Sequence, residues 1–383
     1  MEKKFLTYGM VGGDLHAFIG GVHRKAIALD ERAALAAGCF NPDENENKKC
    51  GEFYHLSHDR VYKDYREMAE KESRREDRID FVTIVTPNFL HYEAAKCFLE
   101  HGFHIFCEKP LCFESEEAEE LKRLAEEKHL LFAVGYNYTG FSMVKLAKDL
   151  VSAGEIGRVI NVNCEYLQEW LIDKIGETKS ATSRLSGWRS DPKVAGISNC
   201  VGDIGTHIES VVTYITGLEV KKVAAVLDNF GQALDLNANI LVELSNGAHG
   251  VFSSSQVCAG HANGLVVRIF GTEGAVEWHE EDPNHLIVEK KGKPIQTYDR
   301  GCGYITGRAV EVNRLPSGHP EGLIIAFANA YTAFQNAVLK DLNGQELTAS
   351  DLDFTDVSYG VRGVRFIHAV VKSNENGSRW TEL

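Results

Sequence analysis

Between residues 5 and 134, short apolar runs alternate with stretches of helical periodicity, and this alternation narrows the fold more than any other property of the chain. Strands are expected over residues 5–11, 33–40, 79–85, 104–107 and 131–134, with helices over 17–29, 64–71, 91–100 and 116–129. Strands that alternate with helices through short turns form a parallel, doubly wound sheet. Ser115 is the expected N-cap of the last of these helices. Its first turns carry Glu116, Glu117, Glu119 and Glu120, where carboxylates favour the positive end of the helix dipole.

From about Thr139 the texture changes. A helix over 143–152 leads into longer strand-like runs at 158–166, 220–227, 237–244, 248–256, 265–271 and 275–278. Turn residues such as Ser245-Asn246-Gly247 and Thr272-Glu273-Gly274 separate several of them, as in an antiparallel meander. Two helices, 322–339 and 350–373, close the chain. With 383 residues, too many for one hydrophobic core, the chain divides into an α/β domain over 1–138 and an α+β domain over 139–383 built on a large, mostly antiparallel sheet.

A formal net charge of −14 with no compensating basic stripe argues against binding to nucleic acid or to anionic membranes. The nine cysteines are scattered, several sit inside apolar runs, and no C-x-x-C pair exists, which fits reduced thiols and a cytoplasmic protein. Cys50, His55 and His58 come closest to a metal cluster, but they fall in a segment read as a polar loop, and no metal is expected. The N-terminus reads as a first strand and no run is long enough to span a membrane.

Ligands of open α/β sheets bind at the carboxyl ends of the strands. There the chain places a Gly12-Gly13-Asp14 turn after the first strand, Thr86-Pro87-Asn88 with His91 after the third, and Glu108-Lys109-Pro110 after the fourth. Gly12 suits a tight dinucleotide-binding turn, whereas Asp14 sets a Cβ and a negative charge where a second glycine would let the backbone approach pyrophosphate. Further on, Asp203 and His207 stand four apart, on one face if the run is helical, so that the carboxylate could orient the imidazole or both could grip one substrate. Histidine can accept a hydroxyl proton near neutral pH, and lysine can donate to the developing oxygen anion or carbonyl. Lys109, Asp203 and His207 therefore suit oxidation of an alcohol.

The Glu108-Lys109-Pro110 tripeptide, the upstream Thr86-Pro87-Asn88 segment and the downstream Asp203/His207 pair, in this order, resemble the Gfo/Idh/MocA oxidoreductases, the family of glucose-fructose oxidoreductase and inositol dehydrogenase. Segments 20–24, 136–140, 187–189 and 318–322 extend the resemblance over nearly the whole chain. It implies an N-terminal Rossmann domain that binds NAD(P) through Gly12, Gly13, Asp14, Ala17, Phe18, Asn41, Thr86, Pro87, Asn88, His91, Glu108, Lys109 and Asn137. It also implies a catalytic group of Lys109, Asp203 and His207, a sugar, cyclic polyol or glycoside as substrate, and a homodimer or homotetramer formed through the C-terminal sheet.

For the cofactor, Asp43, Glu44 and Glu46 after the second strand oppose a 2′-phosphate and favour NAD, with NADP left open. For the substrate, Tyr136, Asn137, Tyr138, Trp188, Arg189, Gln256, His261 and His319 offer flat faces and hydrogen-bonding groups suited to a carbohydrate ring, beside Lys109, Asp203 and His207. Two other functions stay open: redox-neutral elimination or epimerisation through a keto intermediate with NAD held tightly, and a regulator that binds nucleotide or sugar without turnover.

Overall fold

The computed structural model describes residues 2–175 and 191–383. In chain order the elements begin with β1 (Leu6–Gly12), α1 (Phe18–Ala28), β2 (Ala33–Cys39), α2 (Glu44–Phe53), α3 (Tyr65–Ser73), β3 (Phe81–Val85), α4 (His91–Glu100), β4 (His104–Cys107), α5 (Ser115–Glu127) and β5 (Phe132–Val134). There follow α6 (Ser142–Ser152), β6 (Val159–Leu167), α7 (Pro192–Ala195), α8 (Thr206–Thr216), β7 (Val220–Asp228), β8 (Asn237–Leu244), β9 (His249–Ser255) and β10 (Gly264–Gly271). The chain closes with β11 (Gly274–His279), β12 (His285–Lys290), β13 (Gln296–Asp299), α9 (Arg308–Glu311), α10 (Leu323–Leu342), α11 (Val357–Glu375) and β14 (Thr381–Glu382).

Two compact units result: Met1–Asn137 with Leu323–Val361, and Tyr138–Gly322 with Arg362–Leu383. The division expected at residue 138 thus meets one change, because residues 323–361 return to the first unit. The reason is visible in α10, whose Phe327, Tyr331 and Phe334 are buried with Tyr8, Phe81 and Phe106 of the first sheet. Tyr331 stacks on Phe106 at a centroid distance of 4.0 Å, and aromatic pairs of this kind add to the stabilisation from burial alone.

The first sheet is five-stranded, in the order β2-β1-β3-β4-β5, and every pairing in it is parallel. Its central strands β3 and β4 are buried at every position, as a sheet covered on both faces requires. Two local expectations are corrected. The segment after β2, read as a polar loop, forms α2, whose N-cap Asp43 accepts from the Asn45 and Glu46 amides at 2.9 and 3.0 Å and whose inner face buries Cys50. The N-cap of α5 is Glu114 rather than Ser115, with the Glu114 amide donating to Glu117 Oε2 at 3.3 Å.

The second sheet has nine strands in the order β13-β12-β11-β10-β6-β9-β8-β7-β14. All its pairings are antiparallel except β6 with β9. Strands β12, β13 and β14 escaped the sequence reading. β13 is four residues long and mostly exposed, and β14 has only two, so neither carries an alternating apolar pattern. The last helix begins at Val357 instead of Ser350. One sheet face packs helices, with Phe252 against Phe366 of α11. The other exposes Ile160, Val226, Leu241 and Val251.

Gly20 shows how closely α1 lies on the turn after β1: a Cβ there would meet Gly13 Cα at 2.4 Å. Gly20→Ala is expected to destabilise the fold by about 1–3 kcal/mol through overpacking, measured by denaturant unfolding. An unchanged midpoint would show that the helix can retreat without cost.

Candidate active site

In the first unit, the carboxyl ends of β1, β3 and β4 bring the predicted turns to one edge of the sheet. Gly12 and Gly13 have φ of +79° and +74°, and a Cβ at Gly12 would sit 3.0 Å from Val85 O. Only glycine accommodates both demands. Arg24 fixes the turn by donating to Gly13 O at 2.7 Å while lying 4.1 Å over the Tyr54 ring. Helix α1 follows the N-cap Ala17, which makes no side-chain cap; the helix has no first-turn carboxylate, and Phe18 at its tip is 72% exposed. Such an N-terminus suits an anion.

Asp14, the departure from the glycine pattern, turns toward β2. Its carboxylate accepts from the His16 amide at 2.9 Å and from Asn41 Nδ2 at 2.7 Å. Asn41 Oδ1 in turn accepts from the Asp43 amide at 2.9 Å, so both ends of this predicted cofactor residue are engaged within the protein. Asp43 is the cap of α2, and the acidic character foreseen after β2 persists as a structural cluster.

Glu108 and Lys109 follow β4, and the Lys109–Pro110 peptide is cis. Glu108 is buried and accepts from His23 Nε2 at 2.7 Å. A carboxylate can only accept, so His23 Nε2 carries a proton, and the Nδ1 atom lies 2.6 Å from the Tyr331 hydroxyl. Burial raises the Glu108 carboxyl, but the His23 hydrogen bond and nearby positive charge outweigh it and hold the carboxyl below its ordinary range. Its second oxygen accepts from the Lys109 amide at 3.2 Å. Gly135 leaves room for this carboxylate, since a Cβ there would meet Oε1 at 2.7 Å.

His91, expected to border the cofactor, braces two turns. It is fully buried, with Nδ1 2.8 Å from Pro110 O and Nε2 2.9 Å from Thr86 O, and so ties the turn after β3 to the turn after β4. Burial lowers its pKa, against the pull of the two carbonyls. Pro87 and Asn88 sit in the same turn, which continues as a short 3-10 segment from Asn88 to Leu90. Thr86 Oγ1 and Asn137 Nδ2 are buried without a hydrogen-bond partner among the described residues. Orphaned polar atoms at the strand ends, an uncapped helix and a turn reserved for glycine together fit a dinucleotide. Tyr136 is 1% exposed and offers no open face to a sugar.

In the second unit, the run containing Asp203 and His207 begins as a π-helix, Val201–Gly205, before α8 starts at Thr206. The wider turn breaks the α-helical phase assumed between residues four apart. Asp235 anchors it, accepting from the Asn199 and Val201 amides at 2.9 Å each. Asp203 Oδ2 accepts from Gln256 Nε2 at 2.9 Å, and Gln256 Oε1 accepts from Asn199 Nδ2 at 2.8 Å.

His207 is 6% exposed and packs edge-on against Tyr138, with ring centroids 4.7 Å apart. Tyr138 is itself buried, so it supports the imidazole instead of presenting its flat face. Its hydroxyl bonds that of Tyr166, which donates to Asn263 Oδ1 at 2.7 Å, and Asn263 Nδ2 donates to Glu280 Oε2 at 2.9 Å. Burial raises the Glu280 carboxyl. Tyr166, Asn263 and Glu280 were missed in the sequence, where strand ends give polar residues no periodic signal. His261 is exposed, His319 is exposed on the rim of a cavity, and Trp188 and Arg189 lie outside the described residues. Among the described residues no group of three or more His, Cys, Asp and Glu side chains could hold a metal, and no helix is long and apolar enough to cross a membrane.

Residues 6–136 match the family model described as the GFO/IDH/MocA "Oxidoreductase family, NAD-binding Rossmann fold", and residues 144–277 match the "GFO/IDH/MocA C-terminal domain". An uncharacterized oxidoreductase of Bacillus subtilis, YfiI, is 35% identical over 386 residues, covering 100% of this chain and 98% of that protein. A levoglucosan dehydrogenase of Pseudarthrobacter phenanthrenivorans is 32% identical over 235 residues, 55% of this chain and 58% of the relative. An inositol dehydrogenase homolog from Azotobacter vinelandii, solved with NADH and myo-inositol, superposes with a TM-score of 0.90 at 32% identity, over 100% of this chain and 98% of its own. The chain belongs to the Gfo/Idh/MocA oxidoreductase family, and its N-terminal part is that family's NAD-binding Rossmann domain.

Two residues past His207 on α8, Glu209 is fully buried, and burial pushes its carboxyl up to about 7 from 4.5, against the pull of Arg362. The unfolded chain loses this proton first, so stability falls as pH rises from 4.5 to about 7. Glu209→Gln should remove that fall, gaining on the order of 2–3 kcal/mol at pH 8 relative to pH 4. Parallel pH dependence of unfolding in both proteins would contradict it.

Proposed function

We propose that the protein is an NAD-dependent dehydrogenase that oxidises a secondary hydroxyl of a sugar, cyclic polyol or glycoside, with Lys109, Asp203 and His207 as its catalytic residues. The observation that carries this reading is the aromatic and amide scaffold around His207. Tyr138, Tyr166 and Asn263 hold a buried imidazole in one orientation, as a proton acceptor needs. The myo-inositol complex of the Azotobacter homolog and the levoglucosan dehydrogenase relative support a polyhydroxylated substrate.

In the reaction the carbinol C–H bond breaks and its electron pair goes with hydrogen to the nicotinamide, which is the chemistry the cofactor supplies when bound. The hydroxyl proton passes to His207 and a ketone remains. Lys109 donates to the oxygen as negative charge builds on it. Asp203, held by Gln256, binds a substrate hydroxyl and favours the protonated imidazole electrostatically.

For the cofactor, Gly12 and Gly13 would hold the pyrophosphate at the start of α1, with Ala17 and Phe18 at the helix tip. Thr86, Pro87, Asn88 and Asn137 would border the cofactor's nicotinamide. The carboxylate of Asp14 on Asn41, with that of Asp43 capping α2, opposes a 2′-phosphate and supports NAD over NADP. Ile160, Val226, Leu241 and Val251 on the open sheet face support a homo-oligomer in which a second copy covers that face.

Lys109→Ala and His207→Ala should each lower kcat by roughly 10²–10⁴ while far-ultraviolet circular dichroism stays that of the folded protein. NADH formation with a panel of inositols, aldoses and glycosides is the readout. Turnover at the unmodified rate in both variants would remove these residues from the chemistry.

A further inference from the structure

One end of the strands β6, β10 and β11 carries a row of polar groups beyond His207. The end of β6 brings Tyr166, the approach to β10 brings Asn263, and the turn from β11 to β12 brings Glu280 and Glu281. Asn263 links them, with its side chain donating to Glu280 at 2.9 Å and its backbone amide to Glu281 Oε1 at 2.9 Å. Past Glu280 opens a cavity of about 810 Å³, whose lining includes Glu281, Asp299, Arg300, His319 and Glu321. This volume lies toward the upper end of the roughly 300–1,000 Å³ typical of ligand sites and exceeds what one six-membered ring fills.

Two basic side chains of the cavity, Arg300 and His285, are engaged by carboxylates. Arg300 is buried 3.1 Å from Glu321 and donates to the carbonyls of Leu315 and Pro316 at 2.8 and 3.1 Å. His285 lies between Asp282 at 2.6 Å and Asp299 at 3.3 Å. Carboxylates therefore dominate the field. They accept from neutral hydroxyls and repel phosphate or carboxylate groups.

Resting on the dehydrogenase reading above, we propose that the substrate is an uncharged glycoside or oligosaccharide whose non-reacting ring occupies this cavity. Its hydroxyls donate to Glu280 and Glu281, and His319 closes the rim. The reacting ring stays at His207, and Glu280 is the link between the two subsites through Asn263 and Tyr138.

The test compares each ring in three forms with the full chain and NAD: free (glucose, myo-inositol), glycosylated (maltose, cellobiose, galactosyl-inositol) and phosphorylated (glucose 6-phosphate, inositol phosphate). For the ring that reacts, the glycosylated form should exceed the free form in kcat/KM by about tenfold or more, and the phosphorylated form should fall below it by a similar factor. Glu280→Gln, and His319→Ala on an exposed loop should Glu280→Gln fail to fold, should each reduce the glycosylated-to-free ratio toward one, acting through KM. A ratio of one in the unmodified protein, or preference for the phosphorylated form, overturns the cavity assignment while leaving the dehydrogenase reading intact. Absence of oxidation of every form overturns both.

Discussion

The buried carboxylate of Glu108 is the constraint on which the first unit's chemistry rests. Through His23 it binds α1, through Tyr331 it reaches α10, and through the Lys109 amide it sets the first turn after β4. The Tyr331 hydroxyl also reaches Thr83 of β3 at 3.3 Å. A charged group so deep is tolerated only when its hydrogen bonds are satisfied. The same partners that satisfy it come from three elements far apart in sequence. Lys109 is thus attached to the folded core through its amide, and α10 cannot leave the first unit without exposing an unsatisfied network.

The second unit solves a related problem by other means. Its imidazole is packed among tyrosines whose hydroxyls are linked in turn to Asn263, while a π-helical turn, anchored by Asp235, carries Asp203 toward Gln256. Gly205 lets that turn lie close to β9, since a Cβ there would come within 3.4 Å of Ser254 Oγ. A Cβ at Gly205 would already press within 3.2 Å of Val201 Cγ1. Wide turns of this type are uncommon and concentrate at functional sites.

Much of this was legible in the sequence because it follows from periodicity. The bounds of α4 and β4 match the sequence reading to the residue, since a fully buried strand and an amphipathic helix leave clear patterns. The Gly12 turn, the lysine after β4 and the Asp203/His207 pair were found by residue type at strand and helix ends. What was missed depends on distant contacts. Helix α2 is mostly polar and is fixed by its Asp43 cap, α10 joins the first unit through aromatic partners some 220 to 326 residues away, and His91 is locked by two carbonyls that no local pattern announces. The supporting shell around His207 is assembled from four separate segments, and spacing along the chain carries no trace of it.

The proposed dehydrogenase chemistry requires hydrogen to move directly from a carbon of the substrate to the nicotinamide. Incubating the protein with NAD and a polyol deuterated at the reacting carbon, then reading the reduced nicotinamide by nuclear magnetic resonance, tests this. Deuterium at C4 of the nicotinamide, in step with ketone formed, is the result expected here. Deuterium released to solvent, or a modified sugar with no free reduced nucleotide, would contradict net dehydrogenation.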